Sequence, residues 1–163
     1  MRPFSSQQLP RQATTPNYKR PTIPPAPDSN LLTVTVLESQ IKHDMSSFYA
    51  TMSSYAVVSV NGDSRRSDSV KGTVAKFRDA SFAFRTSAND HLIDLQIFCE
   101  NFLVKDTLIG YSVLKVQGGI AGQSTDWVEL KSEPGQKYET VGRVLVSISR
   151  EILETEGDYT HIV

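Results

Sequence analysis

Leu32-Thr-Val-Thr-Val-Leu-Glu38 alternates: Leu32, Val34 and Val36 point one way, Thr33 and Thr35 the other. A side-chain period of two belongs to a strand with one buried face. The same period recurs along the chain. Tyr55-Ala-Val-Val-Ser-Val60 is β-branched and aromatic, and it runs into the turn signal Asn61-Gly62-Asp63. Arg66 to Val74 is expected to return beside it. Ser81-Phe-Ala-Phe-Arg-Thr86 puts Phe82 and Phe84 on the core face, and Ile93, Leu95 and Ile97 alternate with Asp94 and Gln96. Leu108 to Val116 is a further apolar run ended by Gly118-Gly119. Trp127-Val-Glu-Leu130 reads as a short strand before a turn at Pro134-Gly135, and Val144, Val146 and Ile148 alternate in the last strand. Helix is expected only around Ser46–Met52 and in the tail Arg150–Glu156. The pattern predicts an all-β fold, an eight-stranded antiparallel β-sandwich.

The ends differ from the body. Seven of the eight prolines lie within residues 3–27. Proline removes amide donors and favours extended chain, and few apolar groups there offset ordering entropy. Residues 1–30 are therefore expected to be a disordered proline-rich arm that orders along a partner. They carry a charge of +3, residues 151–163 form an acidic tail of −4, and the body between them is neutral. A formal net charge of −1 gives no global field for nucleic acid. A single cysteine excludes an intramolecular disulfide and a Cys-rich zinc site. No apolar run is long enough to span a membrane, the N-terminus lacks the apolar core of a secretory signal, and its prolines oppose the amphipathic helix of an import presequence. Pro21-Thr-Ile-Pro-Pro-Ala-Pro27 lacks the basic flank of an SH3 ligand, and the terminal Thr160-His-Ile-Val163 has His161 where a class I PDZ ligand needs Ser or Thr.

Periodicity does not distinguish an immunoglobulin-like from a C2-like topology. The order of motifs does. Residues 31–150 resemble C2 domains: an opening Leu-x-Val-x-Val-x-Glu strand at Leu32–Glu38, the Tyr55–Val60 strand, the aromatic pair Phe82-Ala-Phe84, and Leu95-Gln-Ile-Phe-Cys-Glu-Asn101 running on to Asp106-Thr-Leu-Ile-Gly110. A closing Trp127-Val-Glu-Leu130 and Gly142 follow. Tyr55-Ala-Val-Val-Ser-Val-Asn-Gly-Asp63 is also similar to the calcium-independent C2 proteins of plants and protists.

The resemblance implies where calcium would sit. Calcium takes about six to eight oxygens, several of them carboxylates. In C2 domains aspartates from two loops at one end supply them. The matching positions here are Ser47 and Ser53 in the first loop and Cys99, Asn101 and Thr107 in the other, none of them a carboxylate. Glu100 is turned away from that set by the period of two. No metal site and no cofactor are expected.

Two other surfaces follow from the resemblance. Arg65, Arg66, Lys71, Lys76 and Arg78 are candidates for a basic face on the central strands, diluted by Asp63, Asp68 and Asp79. Phe102-Leu103-Val104 places three apolar residues in a loop, to dip into a bilayer, dock on a protein or fold back as core.

Catalytic constellations are missing. The chain has no Gly-x-Ser-x-Gly elbow and no phosphate-cradling Gly-x-x-x-x-Gly-Lys. His43, His91 and His161 are dispersed, and Cys99 and His91 fall at opposite ends of one strand. The expectation is a non-catalytic, calcium-independent interaction module that helps assemble a larger cytoplasmic complex of cytoskeletal or ciliary kind. Its protein partner is met in part by the 1–30 arm. The alternative is a peripheral module on anionic phospholipid.

Overall fold

The structure, a computed structural model, describes residues 30–42, 53–133 and 139–153. Ten strands are formed among them: β1 (Asn30–Ile41), β2 (Ser53–Val60), β3 (Asp63–Arg66), β4 (Val70–Lys71), β5 (Val74–Lys76), β6 (Ser81–Thr86), β7 (His91–Glu100), β8 (Thr107–Val116), β9 (Gly122–Lys131) and β10 (Thr140–Ile152). All pairings are antiparallel. Neighbours run β3-β2-β7-β8-β9-β10-β1-β5, with β4 also on β2 and β6 also on β1. β8 and β9 meet through the single pair Tyr111–Lys131, and there the sheet folds over into two layers.

The alternating residues meet between the layers. Ala56, Val58, Val60, Ile93, Leu95 and Ile97 come from one layer. Leu32, Val34, Val36, Phe84, Leu130, Val144 and Val146 come from the other, and all are buried. Packing of this kind contributes about 1.5–3 kcal/mol per fully buried aliphatic side chain. Asn61 and Gly62 both have positive φ, 52° and 83°, the geometry of a two-residue hairpin turn whose twist matches that of its strands.

Three expectations are corrected. Arg66 to Val74 is not one strand. β3 ends at Arg66, and Ser67 then holds the chain to Ala56 by two bonds: its amide donates to the Ala56 carbonyl and its Oγ accepts from the Ala56 amide, each at 2.9 Å. After the two residues of β4, Gly72 at φ 100° turns the chain across to β1 in the other layer. The strand holding Trp127 begins five residues earlier, at Gly122, because its backbone pairs with β10 although Gly122–Trp127 are all exposed. Arg150–Ile152 is strand, not helix, in register with Leu32, Leu31 and Asn30. The other helix expectation, the arm before Asn30 and the tail beyond Leu153 lie outside the described residues.

Candidate functional site

β2 begins at Ser53 and β7 ends at Glu100 opposite it, so the 101–106 loop lies at the end of the sandwich where β2 begins. The 101–106 loop is tied from within. Tyr55 Oη donates to Asp106 Oδ2 at 2.5 Å, and the Asn101 amide donates to Asp106 Oδ1 at 3.0 Å. Asn101 Nδ2 donates to the Lys105 carbonyl at 2.8 Å and to Thr107 Oγ1 at 2.9 Å.

Tyr55 is buried on the outer side of its layer. Its ring stacks on Phe98 at 5.5 Å, and the Arg66 guanidinium lies 3.6 Å above its centroid. Arg66 in turn pairs with Glu100 at 3.1 Å. Burial, and then the bond to Asp106, push the Tyr55 phenol up from 10.0 to about 12. The Tyr55 bond, and then the Asn101 amide, hold the Asp106 carboxyl below the usual carboxylate range.

The described positions where the resemblance looks for calcium ligands carry no carboxylate. Cys99 is buried, and burial followed by the charges of Asp106 and Glu100 raises its thiol. Asn101 and Thr107 bond to each other. Glu100 points outward to Arg66, and both oxygens of Asp106 accept protein donors. Ser53 offers a hydroxyl only, and Ser47 lies outside the described residues. No cluster of three or more His, Cys, Asp or Glu able to hold a metal ion occurs among the described residues.

At the tip of this tied loop, Phe102, Leu103 and Val104 are 95%, 85% and 70% exposed, so they do not fold back as core. Three consecutive apolar side chains thus stand in water above a polar knot.

The five predicted cations do not share one face. Arg66 sits on the outer side of the first layer. Arg65, one residue earlier, turns the other way: its Nη1 donates to the Ala83 carbonyl at 3.1 Å, its guanidinium lies 4.6 Å from the Phe84 ring centroid, and Asp63 pairs with it at 2.8 Å. Arg65 therefore stitches β3 to β6 across the seam between layers. Lys71 lies near the tip end, opposite Ser53. Lys76 is opposite Glu38 in the second layer, and Arg78 follows β5. Sequence reasoning missed Tyr55 and Asp106 as a unit. They are 51 residues apart, and only the pairing of β2 with β7 brings the phenol to the loop.

His91 is buried at the far end of β7 from Cys99, with its Nε2 3.2 Å from the Ser87 carbonyl oxygen, so the two do not form a nucleophile–base pair.

This two-layered antiparallel arrangement, with the closing strand beside the first, is that of a C2 β-sandwich. The first C2 domain of plant extended synaptotagmin 1 superposes with a TM-score of 0.62 at 14% identity, over 80% of this chain and 99% of that one. The tandem C2 domains of extended synaptotagmin 2 give 0.60 at 14% identity, over 86% of this chain and 49% of that one. CC2D1B gives 0.57 at 20% identity, over 75% of this chain and 55% of that one. No family model matches the chain, and no curated protein matches it in sequence. The chain has the C2 fold.

Proposed function

We propose that this protein is a non-catalytic, calcium-independent C2 module that docks on a protein partner within a larger assembly. The observation that carries this reading is the exposed Phe102-Leu103-Val104 tip, held in shape by the Tyr55–Asp106–Asn101 knot with no demand for a metal ion. A few desolvated residues near the centre of an interface supply most of its binding energy, and exposed contiguous apolar residues mark such contact sites. Engagement of Arg65 with Asp63 and of Arg66 with Glu100 weakens the field that an anionic bilayer would need. The 1–30 arm is proposed to lie along the same partner. The cytoskeletal or ciliary setting rests on resemblance alone.

A second reading is a peripheral module on anionic phospholipid. It is favoured by exposed Lys71 and Lys105 near the tip, neither of which has an ion pair among the described residues. The test compares the wild type with a Phe102→Ser/Leu103→Ser/Val104→Ser variant, in chelator at physiological salt. Capture of a defined set of proteins by the wild type but not the variant, without co-sedimentation on phosphatidylserine liposomes, is the expected result. Equal capture by both proteins sinks the docking reading, and liposome binding that fades with salt transfers it to the membrane.

A further inference from the structure

Where the sheet folds from one layer into the other, it leaves a strand edge unused. β8 and β9 are joined by the single pair Tyr111–Lys131. Away from that pair β9 extends back to Gly122 in register with β10 on one side, and on its other side it has no strand partner among the described residues. A cleft of about 510 Å³ opens there, with Tyr111, Val113, Trp127 and Val128 in its walls. Val113 is 51% exposed and Trp127 39%.

One bond fixes the direction of the free groups. The Glu129 carbonyl accepts the Ser112 hydroxyl of β8, so it faces the cleft and not β10. Backbone groups alternate in direction along a strand, so the amides and carbonyls of Trp127, Thr125 and Gln123 face the cleft side as well. Side chains alternate too. Val128 and Leu130 face the interior, and Asp126 and Ser124 continue that row, yet both are exposed: the layer stops at β9.

Edge strands commonly carry devices against further pairing, such as short length, lysine, proline or a bulge. β3, β4 and β5 are four, two and three residues long and hold Arg65, Arg66, Lys71 and Lys76. β9 has ten residues, with no lysine, arginine or proline before Lys131, and its one irregularity lies beyond Leu130. Asp126 has no ion pair among the described residues. Such an edge selects its occupant by backbone geometry. Extended chain offers an amide and a carbonyl at every second residue, in line with those of Gln123, Thr125 and Trp127.

We propose that the 123–127 edge of β9 docks an extended segment of a partner protein, which adds to the sheet as a further strand. Beside Trp127 the segment carries an apolar residue that shares the cleft with Val113. Its neighbour, beside Asp126, is lysine or arginine. This surface uses none of Phe102, Leu103 and Val104, so it and the tip reading stand or fall separately.

The test follows amide hydrogen exchange and amide chemical shifts in the full chain. The probe is a blocked heptapeptide in which valine and lysine alternate between threonine ends. The control is the same peptide N-methylated at its valines, which removes the donors that meet β9. In the free protein the amides of Gln123, Thr125 and Trp127 are expected to exchange quickly, and those of Ser124, Asp126 and Val128, which face β10, slowly. The probe is expected to shift and protect the three edge amides saturably, and the control to do neither. Thr125→Pro removes a donor that β10 does not use, at an edge position where proline is tolerated, and is expected to weaken the probe by roughly tenfold or more. Should Thr125→Pro fail to fold, Asp126→Lys repels the probe's lysines and is expected to weaken it likewise. Equal binding of probe and control, unchanged binding by the folded variant, or no response to millimolar probe overturns the proposal. Protection of the edge amides in the free protein also overturns it: if independent of concentration, the chain covers its own edge, and if it grows with concentration, a second copy does.

Discussion

Tyr55 and Asp106, joined by a 2.5 Å hydrogen bond from phenol to carboxylate, tie the loop at one end of the sandwich to the sheet that carries it. Asp106 also accepts from the Asn101 amide, so a single carboxylate fixes both the start of the loop and the ring beneath it. Charge-assisted bonds of this length are among the stronger ones in proteins. Tyr55→Phe and Asp106→Asn are each expected to lower the thermal midpoint. The double variant should lose clearly less than the sum of the two single losses, because each change removes the same bond. Additive losses in thermal denaturation would show that the two residues act separately.

The pair also sets a pH window. The folded-state phenol of Tyr55 titrates at about 12 and its ordinary value is 10.0, so folding favours the neutral form. Its contribution is complete below the ordinary value and is lost as pH rises through the interval up to about 12. Asp106 has the opposite sign: its carboxyl is held low, so its contribution is present above the ordinary carboxylate range and is lost as pH falls through its depressed value. Near-ultraviolet tyrosinate absorbance should show a late-titrating phase that vanishes in Tyr55→Phe. The same absorbance titration in the wild type and in Tyr55→Phe, apart from the loss of one ordinary phenol, would contradict the geometry.

The strands that bury one face were legible because alternation reports burial directly: Leu32-Val34-Val36, Ile93-Leu95-Ile97 and Val144-Val146 are all core. Elements held by backbone pairing alone were not. Gly122–Trp127 has no buried side chain to mark it, and the break after Arg66 depends on Ser67 bonding to Ala56, a local contact that residue type does not announce. The residues at the positions that the resemblance assigns to calcium are legible as identities alone. The knot was not, since it joins residues from two strands and a loop.

Gly118 marks a second point where backbone geometry limits the sequence. A Cβ there would meet the Ala88 carbonyl oxygen and the Asn89 backbone, neither of which can swing aside as a side chain would. The same residue donates its amide to Asp90 at 2.6 Å, which holds the 87–90 and 117–121 turns together and, with Lys115, keeps the Asp90 carboxyl below its usual range. Gly118→Ala is expected to destabilise the fold by about 1–3 kcal/mol, in the manner of an overpacked site. Gly119→Ala avoids that backbone clash but meets a positive φ of 73°, so it tests strain without collision. Urea unfolding of the two variants separates the mechanisms, and a neutral Gly118→Ala would show that the turns yield.

Calcium offers the sharpest test of how the tip loop is held. A ligand that binds only the folded state raises the thermal midpoint to a degree set by its concentration over its dissociation constant. Here the residues at the expected ligand positions are Ser47, Ser53, Cys99, Asn101 and Thr107, and Asp106 already accepts from Tyr55 and Asn101. Millimolar calcium is therefore expected to leave the wild-type midpoint where chelator leaves it. Tyr55→Phe frees one Asp106 oxygen without adding a carboxylate, so it should stay as insensitive as the wild type. A calcium-dependent rise confined to Tyr55→Phe would mean that the phenol competes with a metal for Asp106. A rise in the wild type would mean that residues of the 43–52 segment complete a site the described residues do not form.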